Sequence, residues 1–145
     1  REGVERTFEA IHKKVEEEPY AKKLGLRLVK VAPGYSLVRM VFTPDMENIF
    51  GMAHGGAIFS LIDEAFETAS NSHGTVAVAL SLNVNYIKSP SPGAVLQAEA
   101  KETSRSNRIA TYDIEVRDDG GDLVARSQAT VYRKKDRLPF LTETE

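Results

Sequence analysis

Apolar residues recur along the chain with two different periods, and each change of period marks a new element. Between residues 4 and 15, Val4, Phe8, Ile11 and Val15 stand at helical spacing against a charged opposite face. Pro19 ends that helix or opens a short turn, because proline cannot continue a helix interior. Residues 26–31 and 36–42 read as strands, parted by the turn residues Pro33 and Gly34. Residues 43–54 have no clear period and contain Pro44, Asp45, Asn48 and Gly51, which predicts a loop.

From residue 55 to residue 72 the helical period returns. Ala57, Ile58, Leu61, Ile62, Ala65 and Ala69 stack on one face with few charges among them, so this helix is expected to lie inside something concave. Gly74 suits its C-terminal cap. Residues 76–86 alternate strictly, with Val76, Val78, Leu80, Leu82, Val84 and Tyr86 on one side, and their number predicts a long central strand. Three more strands follow over 95–103, 109–116 and 123–132, the last two joined by Asp118-Asp119-Gly120-Gly121. One buried helix and a mostly antiparallel sheet make an α+β fold. A sheet rolled around one side of a helix leaves the other side to cover, which points to oligomerisation. The expected organisation is one domain over 1–145, with its core at about 25–133 and a frayed polar tail over 134–145.

Charge and composition narrow the functions. Lys and Arg number 19 against 21 Asp and Glu, so no global basic field exists to hold nucleic acid or an anionic membrane. The absence of cysteine removes disulfides, thiolate catalysis and cysteine metal sites. No apolar run approaches the roughly 20 residues of a membrane span, and the opening 18 residues are too polar for a secretory signal, so a cytoplasmic location is the expectation. His12, His54 and His73 lack a metal-ligand spacing, and no metal or separate cofactor is expected. No Gly-x-Ser-x-Gly elbow is present to support a serine hydrolase.

Candidate chemistry concentrates between Asn48 and Asp63. Gly55 and Gly56 open the central helix, where the first amide N–H groups lack internal partners. Such groups can stabilise an oxyanion, although a glycine pair also simply permits a tight loop-to-helix turn. Asp63 sits between Phe59 and Phe66 on the helical wheel, at the edge of the apolar face. A carboxylate so placed loses hydration and gains basicity; read otherwise, it is an exposed helix carboxylate. Glu64 and Glu67 fall on the more polar side and read as a solvated face. Eight residues separate Gly55 from Asp63, which is roughly 12 Å along one helix. No single carbonyl could meet both groups of one chain, whereas two antiparallel copies could bring them together.

Asn48, Gly51, His54-Gly55-Gly56, Phe59, Leu61 and Asp63 together resemble the signature of the hotdog-fold thioesterases. Ser70-Asn71-Ser72-His73-Gly74, Asn83-Val84-Asn85-Tyr86-Ile87-Lys88 and Tyr112-Asp113-Ile114-Glu115-Val116 resemble the phenylacetate-degradation branch, and the likeness runs from about Gly25 to Arg133. The resemblance implies an antiparallel sheet wrapped around one long helix, and hydrolysis of acyl-CoA with coenzyme A as part of the substrate. It implies Asp63 as base or nucleophile, the Gly55 N–H as the group that polarises the carbonyl, Asn48 as a placer of substrate or water, and His54 as a shaper of the loop. It also implies that Asp63 faces Gly55 and Asn48 of a neighbouring subunit, in a homodimer at minimum and a homotetramer by further pairing. The position where some relatives carry a serine reads Ala79 here, with Ser81 two residues on. Lys88, Arg105, Ser106, Asn107 and Arg108 could meet the phosphates of coenzyme A, or form ordinary polar hairpin ends. Phe50, Met52 and Phe59 are candidates for the wall of an acyl pocket, with phenylacetyl or a related aromatic acyl group as the implied cargo. The alternative function is an acyl-CoA binding or sensing module that does not turn its ligand over.

Overall fold

A computed structural model describes residues 2–141, Glu2 by its backbone alone. Two helices come first, α1 (Glu2–Glu17) and α2 (Pro19–Leu24). Pro19 sits in the first turn of α2, where its missing N–H is not needed, so it starts a helix as well as ending one. The strands are β1 (Arg27–Ala32), β2 (Tyr35–Val41), β3 (Thr75–Tyr86), β4 (Val95–Arg105), β5 (Ile109–Arg117) and β6 (Leu123–Arg137). They form one sheet in the order β1-β2-β4-β5-β6-β3, and every pairing is antiparallel. Between β2 and β3 the chain makes a short 3-10 turn (Pro44–Met46) and then the central helix α3 (Gly55–Ser70).

The sheet curls around α3, as the apolar stripe of that helix requires. Leu61, Ile62, Ala65 and Ala69 are fully buried and share one core with Val38, Met40, Leu96, Ile114 and Val131. Ala98 and Ala100 follow Leu96 on the buried side of β4, and such small residues let the helix come close to the sheet. Phe66 meets Tyr112 edge-on at 5.8 Å, and Ser36 donates to the Ala65 carbonyl at 2.7 Å, which fixes the helix against β5 and β2. Burying a side chain such as Leu61 contributes about 1.5–3 kcal/mol, so this stripe holds α3 in place.

Four sequence expectations are corrected here. The strand expected to be central, β3, is an edge strand that pairs with β6 alone. Alternation reports an apolar face that needs cover, but it does not say what provides the cover. Val78, Leu80 and Tyr86 stay exposed on it. Helix α3 ends at Ser70 with Asn71 as its cap, and Gly74, at φ 89, instead turns the chain into β3. The tail does not fray at residue 134: β6 runs to Arg137, and the Leu138 N–H donates to the Gly74 carbonyl at 3.0 Å. Leu138 is buried and joins Ile11 and Val15 in the core, which therefore reaches beyond the expected limits of 25 and 133 on both sides. Residues 142–145 of the expected tail lie outside the described residues.

Candidate active site

The loop before α3 is built around the side chain of Asn48. Its Oδ1 accepts the N–H groups of Phe50 at 2.8 Å and Met52 at 3.1 Å, while its own N–H donates to the Met52 carbonyl at 2.8 Å. The Asn48 Nδ2 group has no acceptor among the described residues, so its donors remain for whatever lies before the loop. Ile49 and Phe50 are pushed out to 92% and 76% exposure, and Met52 and Phe59 are exposed as well.

His54 is the N-cap of α3, and its Nδ1 accepts the Gly56 N–H at 2.8 Å. That contact fixes Nδ1 as an unprotonated acceptor. A Cβ on Gly56 would stand 3.0 Å from the same nitrogen, which explains the glycine. The neighbouring Gly55 N–H takes no acceptor among the described residues. Its carbonyl accepts the Tyr86 hydroxyl at 3.0 Å, and a Cβ at Gly55 would lie 3.2 Å from the Tyr86 ring. Gly55 thus admits Tyr86 to the start of the helix and leaves one backbone donor unused. Asn48, His54 and Gly55 are gathered at one place.

Asp63 stands about two turns further along α3, roughly 12 Å away by helical rise, so one chain does not join it to Gly55. It is half-buried and has no cation or hydrogen-bond donor among the described residues. Burial first, and then the negative charge of Glu18, hold its pKa above the ordinary aspartate value. It opens on a groove of about 160 Å³ shared with Phe66, Glu67, Ser70, Asn71, Ala77, Ala79 and Val131. Ala79, the position where the resemblance implies a serine in some relatives, lines this groove but has no hydroxyl to offer.

Of the two acidic neighbours of Asp63 expected on a solvated face, Glu67 is exposed and Glu64 is not. Glu64 is only 3% exposed, not solvated, and burial raises its pKa first, helped by Glu18 and Glu67. Glu67 does reach solvent, which tempers its shift, yet the surrounding protein and the charges of Glu18 and Asp63 push it up to about 7. No pattern in the sequence marks Glu64 as buried; next to it on α3, the Ser60 hydroxyl meets that of Tyr20 at 2.8 Å. Tyr20 of α2 therefore touches this flank of α3.

The expected phosphate-binding residues split into two groups. Lys88 follows β3 and is held by Asp118 at 3.2 Å and Asp122 at 2.5 Å. Arg105, Ser106, Asn107 and Arg108 surround the β4–β5 turn at the other end of the sheet, eight residue steps along β5, or roughly 27 Å. Arg105 lies 3.7 Å from Glu102, Arg108 donates to the Tyr132 hydroxyl at 2.6 Å, and the Asn107 carbonyl receives Arg133 at 3.5 Å. One chain does not bring the two groups together.

Comparison with known proteins bears on this geometry. A family model described as the Thioesterase superfamily matches residues 50–125. The chain is 32% identical to the acyl-coenzyme A thioesterase PaaI of Escherichia coli, over 77% of this chain and 79% of that protein. The structure of the E. coli PaaI protein from the phenylacetic acid degradation operon superposes with a TM-score of 0.88 at 29% identity, over 92% of this chain and 97% of that one. The crystal structure of the TT0310 protein of Thermus thermophilus gives 0.78 at 41% identity, over 81% and 98%. That of smu.793 from Streptococcus mutans, bound to acetyl CoA, gives 0.74 at 27% identity, over 78% and 91%.

Proposed function

Because the chain belongs to the thioesterase superfamily, we propose that it hydrolyses acyl-CoA thioesters to a free acid and coenzyme A, with Asp63 as the catalytic carboxylate. The setting of Asp63 carries this reading: a half-buried carboxylate with raised basicity and no partner among the described residues, opening on a groove. As a base, Asp63 takes a proton from water as its oxygen adds to the thioester carbon, and returns it to the departing sulfur when the C–S bond breaks. As a nucleophile, it adds to that carbon itself and the C–S bond breaks to expel the coenzyme A thiolate, leaving an acyl–Asp63 anhydride that water splits into the free acid and Asp63. In both routes negative charge grows on the carbonyl oxygen, and the unused Gly55 N–H is the donor suited to it.

The two groups meet across a dimer. Strand β3 lies along α3 with Tyr86 at Gly55 and with Ala77 and Ala79 at the Asp63 groove. If two copies pair their exposed β3 edges antiparallel about a two-fold axis, the Gly55 end of one comes to the Asp63 end of the other, twice. The same pairing brings Lys88 of one chain to the end of the sheet that carries Arg105, Asn107 and Arg108 of its partner, so the phosphates of coenzyme A would compete there with Asp118, Asp122 and Glu102 for these cations. It also covers Leu80, at 58% exposure, and the projecting Phe50. Further pairing of dimers makes a tetramer.

Phe50, Met52 and Phe59 then face an acyl group from either side of the interface, which favours an aromatic acyl such as phenylacetyl. Release of coenzyme A from a panel of aromatic and straight-chain acyl-CoA substrates tests the reading. Turnover is expected, highest with aromatic acyl groups, and Asp63→Asn should lower it by about 10²–10⁴-fold while the fold persists. Tight binding of every acyl-CoA without release would make the protein a binding module instead.

A further inference from the structure

Three carboxylates from two separate elements converge on the flank of α3. One oxygen each from Glu18, Glu64 and Glu67 lies within 4.8 Å of the other two. Glu18 is the residue between α1 and α2, whereas Glu64 and Glu67 are neighbours one turn apart on α3. Glu64 is 3% exposed, and its Oε2 is buried with no hydrogen-bond partner among the described residues. An uncompensated buried carboxylate oxygen costs free energy unless a proton or a cation meets it.

No basic side chain among the described residues meets that oxygen. Lys14, which borders the adjoining cavity, places its Nζ over the Phe140 ring at 5.8 Å, and Asp63 and Glu17 near the same flank add negative charge. The spacing suits a metal ion. The cluster is compact enough for one ion to touch an oxygen of each residue, and carboxylate oxygens are the ligands that hard cations such as calcium take. The donor set is all oxygen, which disfavours zinc and copper. The ligands escape a search by sequence spacing because Glu18 is 46 residues from Glu64 and the pattern contains no histidine.

We propose that Glu18, Glu64 and Glu67 bind a hard divalent cation of the calcium type, and that this ion clips the α1–α2 segment onto the catalytic helix. Without it, Glu18 docks against α3 only as far as protons, rather than a cation, hold down the charge of the cluster. The role is structural and does not depend on the hydrolytic reading.

The test is thermal unfolding of chelator-treated full-length protein near pH 7.5, titrated with calcium and, separately, magnesium, alongside Glu64→Gln and Glu18→Gln. Wild type should show a saturable rise in Tm of several degrees with calcium and a smaller one with magnesium. Glu64→Gln, nearly isosteric and uncharged, should be at least as stable as chelated wild type and lose most of the calcium response. Glu18→Gln should weaken the response through loss of one ligand. Calorimetric titration with calcium should give about one site per chain in wild type and none in Glu64→Gln. A wild type whose Tm rises on acidification but ignores calcium would overturn the proposal, leaving shared protons as what holds the cluster. So would a calcium response that persists unchanged in both variants.

Discussion

A single carboxylate, Asp63, needs its basicity and its charge at the same time. Burial and the charge of Glu18 raise its pKa, and catalysis uses its ionised form. Activity should therefore fall as pH drops through a value above that of a free aspartate, near ~3.9. In chelated protein, replacing Glu18 with Gln removes the second of those causes, so the acid limb of kcat/KM should move to lower pH while the fold is kept. A limb that stays in place in Glu18→Gln would show that burial alone sets it. This dependence was hidden in the sequence, because Glu18 and Asp63 meet only after α2 folds against α3. The aromatic flank was legible and only half fulfilled: Phe66 lines the groove, whereas Phe59 stands exposed.

At the scale of elements, the periods of the sequence found nearly every helix and strand, since burial of one face imposes them directly. Neighbour relations were less legible. Nothing in the alternation of β3 distinguishes an edge covered by another chain from a strand inside the sheet. Nor did the polar letters of residues 134–137 reveal that β6 continues, because those backbone bonds do not need apolar side chains. The helix start held one detail that motif reading passed over: His54 serves as the N-cap through Nδ1. His54→Ala should destabilise the protein by about 1 kcal/mol in denaturant melts, and His54→Asn, which can also cap, should recover most of it. Full stability in the alanine variant would mean that the 2.8 Å contact contributes nothing.

The carboxylates between α2 and α3 also make stability depend on pH. Folding raises the pKa of Glu67 from 4.5 to about 7, and raises that of Glu64 as well. Between the unfolded and folded values the native state binds more protons than the unfolded chain, so stability falls as pH rises. Chelated protein should therefore show its Tm decreasing from pH 5 toward 7, a slope that Glu64→Gln makes shallower. A Tm that climbs across this window would contradict the crowding of these groups.

For the molecule as a whole, the central claim is that neither chain owns a complete site. Gly55 and Asp63 lie on one straight helix at a separation no thioester can bridge, and an exposed edge strand runs beside both. The most direct measurement mixes two inactive proteins: Asp63→Asn, which lacks the carboxylate, and Gly55→Val, whose side chain would collide with Tyr86 where the free N–H must be reached. Each alone should release almost no coenzyme A. After subunit exchange, verified by native mass spectrometry, mixed dimers carry one site built from an intact Gly55 and an intact Asp63, and activity should return to as much as about half the wild-type value per mixed dimer. Verified mixed dimers that stay inactive beside active wild-type dimers would contradict the shared site.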